Sequence, residues 1–213
     1  MSFNISKPDQ PICIIGAGGH ARVVMDIICS QFGEKYIEGI YDDSSDVQGR
    51  TVCNKIVKPT TEIKANSLAI VAIGSNTSRK SIVSRFQSFV RWAVIVHPTA
   101  WICKGVTIGE GTVVCAGAIV QPEAMIGKHV ILNTACRIDH HCQISDFVHI
   151  APSCTLCGNV SIHQDCFIGA SSVVRQGILI EKEVIVGCGS VVVKAIKQGS
   201  VVIGVPAKPI KTV

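Results

Sequence analysis

Three histidines fall within ten residues, His140, His141 and His149, in a chain that has seven. An imidazole is the side chain best suited to take up a proton near neutral pH, so the cluster is a candidate general base. Solvated surface histidines would give the same pattern. A second candidate is Gly16-Ala-Gly-Gly-His-Ala21, containing Gly16, Gly18, Gly19 and His20, which follows the apolar run Ile12–Ile15. Such a turn lets backbone amides and a helix N-terminus approach a phosphate. Asp42 and Asp43 lie some twenty residues on and are suited to a base or ribose, since neither can favourably face a phosphate. Gly74, Ser75 and Asn76 close a third apolar run. The loop and acidic pair imitate a dinucleotide fingerprint, but only roughly eighty residues are available and the second mononucleotide half is missing, which argues against NAD. A packing turn without a ligand is the alternative.

The eleven cysteines offer less chemistry than their number suggests. Cys154-Thr-Leu-Cys157 is half of a zinc motif, and no second CxxC accompanies it, so no metal is expected. Cys142 is the thiol nearest His140, but its register places it in a core, where a thiol is inert. Cys157 and Cys188 fall at turns.

The elements that must position these residues are of two kinds. From Pro11 to about Val90, strand and helix alternate: Ile12–Ile15, a helix carrying Val24, Ile27 and Ile28, a strand over 36–41, a strand over 68–73, and a helix from about Thr77 with Ile82, Val83, Phe86 and Phe89 on one side. This order predicts a small Rossmann-like parallel sheet, an α/β domain over 1–91, with ligand positions at the carboxyl ends of its strands. After Trp92 the period becomes six. Aliphatic residues recur without insertion from Val96, Ile102 and Ile108 to Val186 and Val192, seventeen in all. Small or aliphatic residues recur four positions after each and include Cys136, Cys142, Cys154 and Cys166. A six-residue repeat predicts a parallel β-helix over 92–213, in which each short strand buries its face by stacking on the next coil. The register points Ile138 and Cys142 inward and leaves His140 and His141 at the turn between them.

Composition agrees. Apolar residues make up 47% of the chain and aromatics 5%, so the core is aliphatic and rich in β-branched side chains. No apolar stretch is long enough to cross a membrane as a helix, and the first residues lack the pattern of a signal peptide. A cytoplasmic protein with reduced thiols is expected. A net charge of +5 suits an anionic small molecule such as a nucleotide or coenzyme A. Without a basic run or an aromatic-basic motif, nucleic acid is not expected.

The motifs Gly16-Ala-Gly-Gly-His20, Asp42-Asp43, Ala72-Ile-Gly-Ser-Asn76, His97-Pro98, Asn133-Thr134, Asp139-His140, Cys157-Gly-Asn159 and Gly204-Val-Pro-Ala-Lys208 occur in an order that resembles the hexapeptide-repeat sugar acyltransferases of the sialic acid and bacillosamine type. The resemblance runs from residue 11 to 211. It implies a left-handed helix of three hexads per coil, against the usual handedness of parallel crossovers. It also implies a homotrimer with acetyl-CoA between adjacent helices, and direct acetyl transfer to a nucleotide-linked amino sugar. In that family His140 corresponds to the general base and Asn133 to a residue that positions the acceptor. His149 and Gly158 correspond to the acetyl-CoA side, Ala170 and Cys188 to pantetheine contacts, and Lys208 to the coenzyme phosphates. The Gly-rich loop, the Asp pair and Gly74-Ser75-Asn76 correspond to the nucleotide site.

One departure stands out. The family places an acidic residue directly after the base, where this chain has His141. Glu123, eighteen residues earlier, should stack one coil below His141 and is the expected substitute carboxylate. O-acetylation of a sialic acid-like sugar would use the same machinery. A zinc hydro-lyase on this helix would resemble the γ-type carbonic anhydrases, but their His pair five residues apart is absent. A non-catalytic scaffold would leave the histidine cluster unexplained.

Overall fold

A computed structural model describes residues 6–212. Strands β1 (Ile12–Ile15), β2 (Ile37–Tyr41), β3 (Thr51–Val52), β4 (Lys55–Lys58), β5 (Leu68–Val71) and β6 (Arg91–Trp92) form one sheet in the order β3-β4-β2-β1-β5-β6. All neighbours are parallel except β3 and β4. Helix α1 (Gly19–Phe32) follows β1 and buries Ala21, Val24, Met25, Ile27, Ile28 and Phe32. It ends at Gly33, whose φ of 97° lets its amide turn back onto Cys29 and Ile28. Helix α2 (Asn76–Phe86) is capped by Ser75, whose Oγ accepts from the Ser78 amide at 3.3 Å.

Three details differ from the sequence reading. The third strand stops at Val71, before the 73 expected. Helix α2 stops at Phe86, so Phe89 lies past its end and is 42% exposed rather than part of its apolar side. The β3–β4 hairpin was not anticipated. Its turn rests on Cys53 and Asn54, both with positive φ, and β4 extends the parallel sheet beyond β2.

Seventeen two-residue strands follow, from β7 (Ile95–Val96) to β23 (Val191–Val192), each ending on an aliphatic residue that the period of six marks. From β7 to β20 each strand pairs in parallel with the one eighteen residues on, as Ile131 does with His149, so three strands complete a coil. The strands stack into three flat faces. The interior is dry and aliphatic, with Val114, Leu132, Ile150, Ile168 and Val186 along one face and Cys136, Cys142, Cys154 and Cys166 among the small residues, all fully buried. Strands β24 (Ser200–Ile203) and β25 (Lys208–Thr212) close the first face as an antiparallel pair.

The corners have a rule of their own. From Gly105 to Gly189, every sixth residue takes a positive φ, and ten of those fifteen are not glycine. That conformation is costly for an L-residue. Here it turns the corner amide toward the coil below, as when the His141 N–H donates to the Pro122 carbonyl at 3.2 Å. The α/β unit packs on the first face: Ile95, Val113 and Cys115 share one core with α1. Among the described residues no helix is long and apolar enough to cross a membrane.

Candidate active site

The prism has three edges, and each carries different residues. The second edge contains Glu123, His140, His141 and Gly158, stacked on successive coils. Strands β14 (Arg137–Ile138) and β15 (Gln143–Ile144) flank the turn that holds the two histidines. Glu123 Oε2 lies 2.8 Å from His141 Nε2. His141 Nδ1 lies 2.9 Å from His140 Nδ1, with the two rings perpendicular. The His140 amide donates to Asp139 Oδ1 at 2.8 Å, which fixes the start of the turn. On the next coil, a Cβ on Gly158 would stand 2.5 Å from His140 Cε1. Glycine therefore leaves room for the imidazole. Cys142 points inward and donates to the Cys157 carbonyl at 3.2 Å. Burial pushes its thiol up to about 11, so it is no nucleophile at neutral pH. A shallow groove of about 230 Å³ runs beside this edge, lined by Gln121, Arg137, Asp139, Thr155 and Cys157.

His149 and Asn133 form a separate group. His149 lies on the outer side of the first face, in β16 (His149–Ile150), beneath the α/β unit. Its Nδ1 is 3.1 Å from the Gly74 carbonyl and its Nε2 is 3.1 Å from Asn133 Nδ2. A carbonyl accepts and an amide NH₂ donates, so His149 carries its proton on Nδ1. Burial, with the nearby Arg79 charge, holds its pKa down at about 4, and its ring stands edge-on to Phe167. Asn133 thus contacts His149 rather than His140. His149 bonds to the α/β unit, and the sequence had set it among acetyl-CoA residues.

The Gly-rich loop faces the same region. Asp42 Oδ2 accepts from the Ala17 amide and Oδ1 from the Ser44 amide, both at 2.9 Å, so this carboxylate shapes the loop. Gly18 caps α1 without a side-chain bond. His20, in the first turn, keeps Nε2 buried and unpartnered, and burial lowers its pKa to about 4. Asp43 is held elsewhere, by Thr60 and by Arg85 at 2.8 Å. Between the α/β unit and the first face opens a cleft of about 650 Å³, lined by Gly74, Ser75, Asn76, Lys80, His149 and Phe167 among others.

Arg79 was not singled out from the sequence. It is 1% exposed, and its guanidinium donates to the carbonyls of Ile73, Gly74, His129 and Phe147 and to Asn76 Oδ1, at 2.8–3.2 Å. Those partners are neutral, so a positive charge stands buried behind the cleft, whose lining also carries Lys80, paired with Asp165, and Glu183. Its signal was present: residues 79, 83 and 86 share the buried side of α2, and one of them is an arginine.

Ala170 and Cys188 lie on the first edge with Asn133, away from His140. The Ala170 carbonyl accepts from the Gly189 amide at 2.8 Å, and Cys188 is exposed. Lys208 is exposed on β25. All three stand apart from the His140 turn of the same chain.

Comparison with known proteins places these features. The PglD N-terminal domain family matches residues 11–86. UDP-N-acetylbacillosamine N-acetyltransferase of Bacillus subtilis (strain 168) is 34% identical over 114 residues, 49% of this chain and 51% of that protein, so the match spans about half the length of this curated relative. The acetyltransferase domain of PglB from Neisseria gonorrhoeae FA1090 superposes with a TM-score of 0.88 at 31% identity, covering 95% of this chain and 100% of that one. PerB from Caulobacter crescentus, solved in complex with CoA and GDP-perosamine, gives a TM-score of 0.83 at 29% identity, covering 96% and 99%. An α/β unit of PglD type joined to a left-handed hexapeptide helix, matched over 95% of the chain at 31% identity, shows that this chain belongs to the PglD/PglB-type family of sugar acyltransferases.

Proposed function

We propose that this protein transfers acetyl from acetyl-CoA to the amine of a nucleotide-linked amino-deoxy sugar, carrying UDP, GDP or TDP, with His140 as general base. The observation that carries the reading is the second-edge turn. The Nδ1 of His140 is engaged by His141, its exposed ring packs against Gly158, and its Nε2 bonds to no protein group among the described residues. His140 Nε2 takes the amine proton as the nitrogen attacks the thioester carbon. The N–C bond forms, the C–S bond breaks, and the sulfur leaves with the electron pair and is protonated. This reading assigns the Gly158 amide as donor to the thioester oxygen as it gains charge, the Cys157 and Asn159 amides being held by the Val174 and His140 carbonyls. The reduced cysteines suit a cytoplasmic reaction.

The nucleotide end belongs in the cleft of the α/β unit. Its Gly-rich loop, the uncapped α1 start, the unpartnered His20 and the Arg79 charge all favour a phosphate-bearing ligand. That cleft lies on the first face and third edge, whereas His140 lies on the second edge. Each face spans about six residues at ~3.3 Å, up to ~20 Å. A sugar held in the cleft is therefore out of reach of its own chain's His140, and the first face leads from the cleft past His149 to Asn133 on the first edge, where the His140 of a neighbouring subunit meets it in this reading. This supports a homotrimer in which the first edge of one helix, with Asn133, Ala170 and Cys188, faces the second edge of the next and encloses acetyl-CoA. Lys208 is then available to the coenzyme phosphates.

The test is coenzyme A release with UDP-, GDP- and TDP-4-amino-6-deoxy sugars. One of them should turn over, and His140→Ala should lower kcat by at least about a hundredfold. No turnover on any of them, with acetylation of free sialic acid, would replace the amine by a hydroxyl acceptor.

A further inference from the structure

The turn at His140 holds a second imidazole that base catalysis alone does not require. Resting on the reading of His140 as base, we propose that His141 and Glu123 act as positioning residues that relay charge and a proton to and from His140. They would replace a carboxylate bonded directly to the base.

Hydrogen-bond logic fixes the protons. A carboxylate only accepts, so His141 carries a hydrogen on Nε2, 2.8 Å from Glu123. Neutral His141 then offers the lone pair of Nδ1. His140 Nδ1 lies 2.9 Å away and must donate. The remaining nitrogen of His140, Nε2, is left without a hydrogen and is free to act as base. A proton added to His141 reverses the order: its Nδ1 donates, His140 keeps its hydrogen on Nε2, and the base is lost.

During transfer the amine proton goes to His140 Nε2. The Nδ1 proton of His140 then passes to His141 Nδ1, and the positive charge rests on His141 against the Glu123 carboxylate. The return passage reprotonates His140 Nδ1 and frees the Nε2 proton for the departing coenzyme thiolate. The other titratable group at the turn is Asp139, which is bonded to the His140 amide; the Cys142 thiol points into the core. Glu123 is the carboxylate that reaches the ring of His141.

Glu123 and His141 are half or more exposed, at 68% and 52%, so their ion pair contributes little to stability. A purely structural pair and a relay therefore give different results. The experiment is the pH dependence of kcat/KM on the intact protein, with acetyl-CoA and the amino sugar that turns over. Glu123→Gln removes the charge that favours the protonated pair. It should move the acid limb to lower pH by about half a unit to one unit and lower the plateau about tenfold, with Tm nearly unchanged. His141→Glu places a carboxylate directly on His140 and should stay within several-fold of wild type. Adding Glu123→Gln to His141→Glu should then change nothing further. Nitrogen NMR of labelled histidine should find His140 protonated on Nδ1 at pH 8. A Glu123→Gln profile superimposable on wild type, or His140 protonated on Nε2 at pH 8, would overturn the relay. Full activity of His140→Ala would instead overturn the base assignment on which the relay stands.

Discussion

Gly158 is bare because the imidazole of the preceding coil occupies the space its Cβ would need. The atoms it would meet belong to the outer end of an exposed side chain, so a methyl group there displaces His140 without disturbing the coil. Gly158→Ala should therefore lower kcat by about a hundredfold, as expected when a reacting group shifts by about 1 Å, and thermal unfolding should move by less than about 2 °C. A loss of stability to match the loss of rate would mean that the glycine serves the backbone instead. At this scale the sequence was informative about the second edge. The eighteen-residue spacing of Glu123 and His141 predicted their stacking, and they stand 2.8 Å apart. It was less informative about Asn133 and His149. Their bond to each other and to Gly74 depends on where the α/β unit docks, and no local pattern encodes that.

At the scale of elements, three side chains of α2 bond to the β-helix: Asn76, through the Asp165 and Cys166 carbonyls, Arg79 and Lys80. Arg79 reaches carbonyls at both ends of the junction, Ile73 and Gly74 on one side and His129 and Phe147 on the other, and Lys80 adds an ion pair to Asp165 at 2.6 Å. Arg79→Met would leave several buried carbonyls without donors, at about 1–3 kcal/mol for each that water cannot reach. Denaturant unfolding should show a loss of at least about 3 kcal/mol, and Arg79→Lys should recover only part of it, because a single ammonium cannot span that fork of acceptors. An unchanged midpoint would mean that the carbonyls rehydrate. The repeating strands were legible in full, since a period of six leaves no choice of register. The β3–β4 hairpin was not, because its two-residue strand and its Cys53-Asn54 turn resemble any polar loop. The corner conformations were also hidden. Glutamate, histidine, phenylalanine and serine all adopt positive φ there, and the coil-to-coil hydrogen bonds override their local preference.

The whole molecule is joined along a seam of neutral imidazoles. His20, His129 and His149 lie at or beside the contact between the two units, and burial lowers each to about 4, with Arg79 adding to the effect. An unfolded chain takes up these protons near 6.5, the folded one only near 4. Their contribution to stability is therefore complete above about pH 6.5 and is lost as the pH falls toward 4. Tm should drop steeply over that window, and His129→Phe, which stays between Trp92 and Phe147, should make the drop shallower. A Tm that is level from pH 7 to 4.5 would show that the seam opens to water without unfolding.

The stacking of three hexads per coil also constrains how the chain can change in length. Removing eighteen residues shortens the prism and leaves every later side chain on its own edge. Removing six rotates everything downstream by a third of a turn, although every strand still finds an aliphatic partner. A hexad lost between Cys142 and Gly158 would carry Ala170 and Cys188 from the edge they share with Asn133 onto the third edge, and would carry Gly158 away from His140. The stacked coils would survive such a deletion, while the site and the contacts of α2 with Phe147, Asp165 and Cys166 were dismantled. The core tolerates steps of six, and the site tolerates only steps of eighteen.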